Sequence, residues 1–107
     1  ATRSLEEVAA AMGPTAPRWF QLYLPRDRGI TLDLAARARA AGYGALVVTV
    51  NAPVAAAFRE RDLANGFAVP PELAAGNDRP GYAHPLIGST DAALRWADIE
   101  WLAARAG

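Results

Sequence analysis

The chain has 107 residues, of which 52% are hydrophobic, so it has enough apolar side chains for the core of one small domain. Its 11 basic and 11 acidic residues cancel, which excludes the strong one-signed field of a nucleic-acid binder and favours a small-molecule partner. The lack of cysteine and the single histidine exclude a disulfide framework, a thiolate nucleophile and the usual zinc clusters. No apolar run is long enough for a membrane segment or placed as in a signal peptide, so we expect a cytoplasmic protein.

The first segment has the signature of a helix. Ser4 and Glu7 form a capping box, in which the side chain of each residue accepts a hydrogen bond from the backbone N–H of the other. Apolar residues follow at helical spacing, namely Leu5, Val8, Ala9 and Met12. The pair Gly13-Pro14 predicts the end of this helix.

Two apolar runs predict buried parallel strands, one at 19–24 and one at 44–51. Pro25 ends the first strand because it has no backbone N–H for further pairing. Between the strands, Thr31 is predicted to cap a helix whose C′ residue is Gly42. The buried stripe of this helix consists of Leu34, Ala35, Ala38 and Ala41. Strand, helix and strand in this order make a βαβ unit with a right-handed crossover.

Both predicted strands finish with two polar side chains on one face. Gln21 and Tyr23 share a face of the first strand, because alternate residues of a strand point the same way. By the same alternation, Thr49 and Asn51 share a face of the second. Ligands bind at the carboxyl ends of parallel strands, so these positions predict a small-molecule site.

The remaining sequence favours a piece of a larger α/β fold. About forty residues after Pro53 show no regular pattern, against roughly two to six in ordinary connections. A last helix is predicted to start near Arg95, with an inner stripe of Ile99, Leu102, Ala103 and Ala106 and with Gly107 at its C-cap. We therefore predict that residues 1–107 form a partial (β/α)₈ TIM-barrel domain, with two parallel strands, about three helices and a long loop after the second strand. A doubly wound sheet is the alternative, but its G-x-G-x-x-G fingerprint is absent.

Several motifs, in the same order along the chain, resemble the FMN-dependent 2-hydroxy acid dehydrogenase and oxidase family, which includes glycolate oxidase, lactate oxidase and mandelate dehydrogenase. These motifs lie at 19–23 (Trp-Phe-Gln-Leu-Tyr), 25–28, 41–43, 49–53, 59–62, 65–67 and 96–102. The resemblance is weaker between about residues 72 and 90 and covers the middle of the family's barrel. It implies FMN as the cofactor and oxidation of a small L-2-hydroxy acid, of the lactate, glycolate or mandelate type, to the 2-oxo acid. It also implies that the complete barrel forms a homo-oligomer.

The resemblance assigns roles to four residues of the chain. Gln21 matches the glutamine that contacts the flavin, and Thr49 matches the threonine whose hydroxyl lies near the flavin. Tyr23 matches the tyrosine of the substrate site, and Arg59 matches the arginine that clamps the substrate carboxylate. Each also has a structural explanation, as a polar lumen residue, a strand former, an amphipathic strand end or a solvated loop charge.

One position departs from the family. Asn51 stands where most members have an aspartate that pairs with the catalytic histidine, and an amide lacks the charge that stabilises an imidazolium. The catalytic histidine, its neighbouring arginine and the flavin-facing lysine belong to later strands of the family's barrel, and His84 reads as a surface loop residue. We therefore expect the 107 residues alone to be inactive. The competing hypothesis is a non-catalytic remnant or fragment that acts at most as a binding or association module.

Overall fold

A parallel two-stranded sheet with helices packed beside it forms the centre of the computed structural model. The structure describes residues 2–51, 64–66, 70, 73, 75–83, 86 and 89–106. The regular elements of these residues are helix α1 (Leu5–Met12), strand β1 (Trp19–Leu22), helix α2 (Arg28–Ala40), strand β2 (Ala45–Val48) and helix α3 (Trp96–Ala106). β1 and β2 pair in parallel, from Trp19 opposite Ala45 to Leu22 opposite Val48. The predicted βαβ unit is confirmed, with α2 as its crossover.

The core lies between the sheet and the helices. Leu22 and Leu24 pack with Ala35 of α2 and Leu102 of α3, and all four are buried. A second buried cluster joins α1 to α2 and consists of Leu5, Ile30 and Leu34. Of the stripe predicted for α3, Leu102 is buried, Ile99 and Ala106 are half-buried and Ala103 is exposed.

The predicted ends of the first helix are confirmed. Ser4 Oγ accepts the N–H of Glu7 at 3.2 Å, and a carboxylate oxygen of Glu7 accepts the N–H of Ser4 at 2.8 Å. Gly13 follows the helix with φ +83°, a left-handed value that suits glycine. Gly42 adopts φ +78° after α2, as its predicted C′ position requires.

The predicted start of α2 is wrong. The helix begins at Arg28, and its N-cap is Asp27, whose carboxylate accepts the N–H of Gly29 at 2.8 Å. Thr31 is therefore inside the helix, where it is 0% exposed. Asp and Thr are both good N-caps, and Thr31 faces the core while Asp27 stands free at the turn to cap the helix.

Both strands are shorter than predicted. β1 ends at Leu22 and β2 at Val48, and the chain beyond β1 pairs with a different segment. Pro25 and Thr90 form an isolated antiparallel bridge, in which Arg26 donates its N–H to Ser89 O and Asp91 donates its N–H to Leu24 O, both at 2.9 Å. Residues 89–91 therefore use backbone hydrogen-bonding groups of residues 24–26, which a longer β1 would have offered to another strand.

Residues 75–82 pack on the amino-terminal helix. Asn77 Oδ1 accepts the N–H of Leu5 at 2.8 Å, which satisfies one of the free donors at the start of α1. A Cβ at Gly76 would collide with the backbone of Arg3, so only glycine permits this approach. The segment is therefore fixed against α1 by both a hydrogen bond and a close backbone contact.

A group of paired polar side chains joins α1, α2 and this segment, and we call it the helix network; it consists of Glu6, Asp33, Arg37 and Tyr82. Arg37, which is 9% exposed, donates Nε to one carboxylate oxygen of Glu6 at 2.7 Å and Nη2 to the other at 3.0 Å. Its Nη1 donates to Tyr82 Oη at 3.2 Å, and the Tyr82 hydroxyl donates to Asp33 at 2.5 Å. The hydrogen bonds from Arg37 lower the pKa of Glu6 from 4.5 to about 2.

Candidate functional site

One face of the sheet is open at the carboxyl ends of the strands. The side chains of Leu22 and Leu24 face the helices and are buried, whereas Gln21 on the other face is exposed. Val47, which lies opposite Gln21 in the register, is 40% exposed. The alternation predicted from the sequence is therefore confirmed for β1, and it presents one polar face away from the core.

The two residues with predicted cofactor roles meet on this face. Gln21 Nε2 donates a hydrogen bond to Thr49 Oγ1, with 2.7 Å between the two atoms. Thr49 follows directly after β2, and its N–H donates to Leu22 O at 2.9 Å, which extends the sheet ladder by one bond. The backbone pairing thus holds Thr49 beside Gln21, across 28 residues of sequence. We call these two residues the polar pair.

Tyr23 follows β1 directly and is 43% exposed. It stands between Leu22, whose carbonyl accepts the Thr49 N–H, and Leu24, whose carbonyl accepts the Asp91 N–H. The chain therefore leaves the sheet at Thr49, which binds the residue before Tyr23. It returns at Asp91, which binds the residue after Tyr23.

The sheet does not fix the side-chain positions of the other predicted site residues. Asn51 is exposed and lies three residues beyond the end of β2, so strand alternation does not fix the direction of its side chain. Arg59 lies outside the described residues, and so does His84. The structure thus brings together Gln21 and Thr49 and places Tyr23 on the same strand end.

A charged cluster beside the site was not predicted. Arg28 Nη2 lies 2.7 Å from a carboxylate oxygen of Asp91 and 2.7 Å from one of Asp98. Arg28 Nη1 donates to Pro25 O at 2.8 Å, and its guanidinium carbon is 5.9 Å from the ring centroid of Trp101. The backbone N–H of Arg95 and the guanidinium of Arg28 hold the pKa of Asp98 below its usual range. The partners are 63 and 70 residues apart in sequence, so no local pattern could have revealed the cluster.

This cluster fixes the wall of a cleft at the end of β2. The cleft has a volume of about 250 Å³, and Thr49 contributes to its lining. The segment that begins at Thr90 supplies most of the other lining residues, including Asp91, Arg95 and Trp96. Arg28 therefore acts on the site indirectly, by holding the segment that lines it.

The polar pair has the hydrogen-bonding chemistry that a flavin requires. The bond between Gln21 and Thr49 uses one amide N–H and one acceptor position of the hydroxyl, and both groups have further donor and acceptor capacity. The pyrimidine edge of an isoalloxazine ring carries both N–H and C=O groups, and an amide beside a hydroxyl matches such an edge. The residues present therefore fit FMN. Within the described ranges, no three His, Cys, Asp or Glu side chains are grouped so as to hold a metal ion, and no helix is long and apolar enough to cross a membrane.

Parallel strands joined by a helix, with polar groups at their carboxyl ends, are the repeating unit of a (β/α)₈ barrel. All 107 residues match the family described as FMN-dependent dehydrogenase, and the chain belongs to that family. FMN is the cofactor of this family, in agreement with the chemistry of the polar pair.

Relatives and solved structures agree with this assignment. An L-lactate oxidase of a Nostoc species is 42% identical over 116 residues, which cover 94% of this chain and 32% of that protein. 2-Hydroxyacid oxidase 1 of Mus musculus is 39% identical over 117 residues, covering 95% of this chain and 31% of the mouse protein. A structure of mandelate oxidase with (S)-4-hydroxymandelic acid superposes with a TM-score of 0.75 at 35% identity, covering 98% of this chain and 32% of that one. The chain thus spans about a third of the length of the relatives that it matches.

Proposed function

We propose that this chain supplies part of the flavin and substrate site of a barrel that oxidises an L-2-hydroxy acid to the 2-oxo acid with FMN. The observation that carries the proposal is the hydrogen bond between Gln21 and Thr49 at the carboxyl end of the parallel strands. The relatives support it, because their names include L-lactate oxidase, 2-hydroxyacid oxidase and mandelate oxidase. They favour this function over a non-catalytic binding module.

On the cofactor side, Gln21 and Thr49 would bind FMN. Bound FMN supplies the two-electron acceptor for the oxidation. Gln21 would hydrogen-bond the pyrimidine edge through its amide, and Thr49 would place a hydroxyl beside it. Because Gln21 is exposed on the open face, a ring laid on this face can reach the amide without displacing a core side chain.

On the substrate side, Tyr23 and Arg59 would hold the 2-hydroxy acid. A phenol can donate to the carboxylate or accept from the hydroxyl of the substrate, and a guanidinium can bind a carboxylate with two parallel hydrogen bonds. Tyr23 follows Gln21 by two residues on the same strand end, so one ligand cleft can include both. The structure supports Tyr23 by its exposure, whereas the role of Arg59 rests on the sequence pattern alone.

Proton removal from the substrate would use a base in another unit of the barrel. The only histidine of the chain, His84, matches no catalytic position of the family pattern. Asn51 stands at the position that we assign to the partner of that base. We therefore expect the 107 residues alone to bind FMN weakly and not to turn over lactate, glycolate or mandelate, and turnover by this chain alone would contradict the proposal.

Two alanine substitutions in a complete barrel that carries this segment test the division into cofactor and substrate sides. Gln21→Ala is expected to weaken FMN binding, because it removes the amide from the flavin edge. Arg59→Ala is expected mainly to raise KM, because the loss of a carboxylate clamp costs substrate binding energy. Flavin fluorescence titration gives the first effect and steady-state kinetics with excess FMN gives the second. Equal loss of flavin in both variants would overturn the assignment.

The polar pair suggests FMN more directly than it suggests a particular substrate. The side chain of the 2-hydroxy acid, the homo-oligomeric state of the complete barrel and the cytoplasmic location remain predictions. Comparing turnover of lactate, glycolate and mandelate by the complete barrel tests the substrate class. Activity with none of the three, in a protein that retains FMN, would favour the binding module instead.

A further inference from the structure

The segment between β2 and α3 contains an asparagine that is followed directly by a glycine. Asn65 and Gly66 lie in a turn, and both residues are exposed. Gly66 has φ +61°, a left-handed value that suits glycine. Apart from its chain neighbours, no atom of the described residues lies within 4 Å of the position that a Cβ would occupy there. The backbone around the Gly66 nitrogen is therefore open to solvent and is not crowded by a side chain.

An asparagine side chain can react with the backbone nitrogen of the residue that follows it. The nitrogen forms a bond to Cγ of the asparagine, the bond from Cγ to Nδ2 breaks, and ammonia leaves with the proton of the backbone N–H. Water then opens the resulting cyclic imide at either carbonyl, which gives aspartate or isoaspartate. No oxidant or cofactor is consumed. A following glycine favours ring closure, because it has no Cβ and its backbone adopts many conformations.

The other two asparagines of the chain each lack one of these conditions. Asn77 is followed by Asp78, and its Oδ1 accepts the N–H of Leu5 at 2.8 Å. This hydrogen bond holds the side-chain carbonyl against α1, so it must break before the carbonyl can meet the next backbone nitrogen. Asn51 is exposed, but the residue after it is Ala52, which carries a Cβ. Exposure and a following glycine are combined at Asn65.

We propose that Asn65 is a deamidation site, at which the Gly66 nitrogen closes the imide ring and water converts the asparagine to aspartate or isoaspartate. Each event replaces a neutral amide with a carboxylate. It therefore adds one negative charge to a chain whose 11 basic and 11 acidic residues cancel. The isoaspartate product also lengthens the backbone, because the chain then runs through the former side chain. The inference is independent of the proposed function.

Peptide mapping of the complete barrel that carries this segment tests the site. The folded protein is incubated at mildly alkaline pH, digested with trypsin and analysed by tandem mass spectrometry. Cleavage after Arg61 and Arg95 gives one peptide that contains both Asn65 and Asn77, because Pro80 protects the bond after Arg79. We expect the product at Asn65 to form at least about ten-fold faster than at Asn77, whose hydrogen bond must break first. The rate should rise with pH, because the attacking nitrogen must lose its proton.

Two variants control for modification elsewhere in the barrel, and isoelectric focusing follows the added charge. Asn65→Gln keeps the amide but requires a larger ring, so the acidic form produced by Asn65 should disappear. Asn77→Asp keeps an oxygen that can accept the N–H of Leu5, and it should leave the rate at Asn65 unchanged.

The result that would overturn the proposal is a folded protein in which Asn65 gains no product, or in which Asn77 reacts as fast as Asn65. An acidic form that persists at full rate in Asn65→Gln would also overturn it, because the modification would then lie at another residue. Each of these results leaves FMN binding and the proposed function unaffected.

Discussion

The helix network and the polar pair are both made of polar side chains that bond across elements, but they differ in burial and in saturation. In the network, the 9% exposed Arg37 donates hydrogen bonds to Glu6, Tyr82 and Asn77 O, so its donors are nearly all used within the chain. In the polar pair, one hydrogen bond joins an exposed amide to a half-buried hydroxyl, and further capacity faces outward. The first arrangement holds helices together, and the second can bind a ligand. The fraction of hydrogen-bonding capacity used within the chain therefore separates the two groups more clearly than residue type does.

The largest expected effect concerns Asn51, an exposed residue beyond the end of β2. In a complete barrel, Asn51→Asp is expected to raise the rate of flavin reduction, because a carboxylate beside the base stabilises the imidazolium that forms as the substrate proton is removed. The reverse exchange in serine proteases costs about ten thousand-fold in kcat, and we expect a smaller gain here, about ten- to a thousand-fold. Stopped-flow absorbance with one good substrate measures it.

A matched exchange controls for the added charge. Asn77→Asp introduces the same change at the start of α1, where the side chain oxygen already accepts the N–H of Leu5. It should leave flavin reduction unaltered. If Asn51→Asp is no faster than the unchanged protein, Asn51 is not paired with the base.

The second prediction breaks the helix network. Arg37→Met removes the guanidinium that joins Glu6 to Tyr82, and among the described residues it leaves Glu6 with only the longer 3.5 Å contact to Arg79. Removing one member of a buried ion pair costs about 3–5 kcal/mol, and the partial exposure of Glu6 reduces the expected loss of unfolding free energy to about 2 kcal/mol. Urea unfolding measures this loss, and the FMN dissociation constant should not change. Arg39→Met, at an exposed position of the same helix, should stay within about 0.5 kcal/mol of the unchanged protein.

The third prediction uses pH to test the same network. Arg37 lowers the pKa of Glu6 from 4.5 to about 2, so the ionised form is stabilised in the folded state. The resulting stability is present above pH 4.5 and is lost as the pH falls toward 2. Because the Glu6 side chain is 42% exposed and screened by solvent, we expect Glu6→Gln to cost about 1 kcal/mol at pH 7. The cost should shrink steadily in unfolding experiments between pH 5 and pH 2; a constant difference would exclude this ion pair as its source.

The smallest expected effect concerns the buried hydroxyl of Thr31, which belongs to neither the helix network nor the polar pair. Thr31 Oγ1 is buried and has no hydrogen-bond partner among the described residues. Thr31→Val replaces the hydroxyl with a methyl group of similar size, so it should raise the unfolding free energy by about 0.5–1 kcal/mol. Thermal unfolding at constant pH measures the gain. A loss of stability would mean that the hydroxyl has a partner after all.

Local sequence signals predicted the parts of the fold that depend on nearby residues. The capping box of Ser4 and Glu7 and the left-handed Gly42 each depend on fewer than five consecutive residues, and both are confirmed. Alternation along β1 placed Gln21 on the open face, because a strand has only two faces. The prediction of Thr31 as the N-cap was wrong, because Thr31 faces the core and the helix begins earlier, after Asp27.

Contacts between distant segments could not be read from the sequence. Arg28 binds two aspartates that are 63 and 70 residues away, and the antiparallel bridge between Pro25 and Thr90 shortened β1. The meeting of Gln21 and Thr49 was implied by the resemblance and not by spacing, since it depends on the register of the two strands. Sequence reasoning therefore assigned cofactor roles to Gln21 and Thr49, which stay predictions, and missed the side chains that hold the surrounding chain in place.

The backbone hydrogen bonds of Leu22 and Leu24, on either side of Tyr23, have a consequence for evolution. Because Leu22 O binds the N–H of Thr49 and Leu24 O binds the N–H of Asp91, the ends of the intervening segment stay together whatever its length. Doubling the length of a closed flexible loop costs only about 0.6 kcal/mol, so insertions and deletions outside the packed residues 75–82 are cheap for the fold. The alignment with the Nostoc relative is 116 residues long against 107 in this chain, so gains and losses of residues have occurred between the two proteins. The two hydrogen bonds therefore allow the segment between Thr49 and Asp91 to change in length while β1 and β2 keep their pairing.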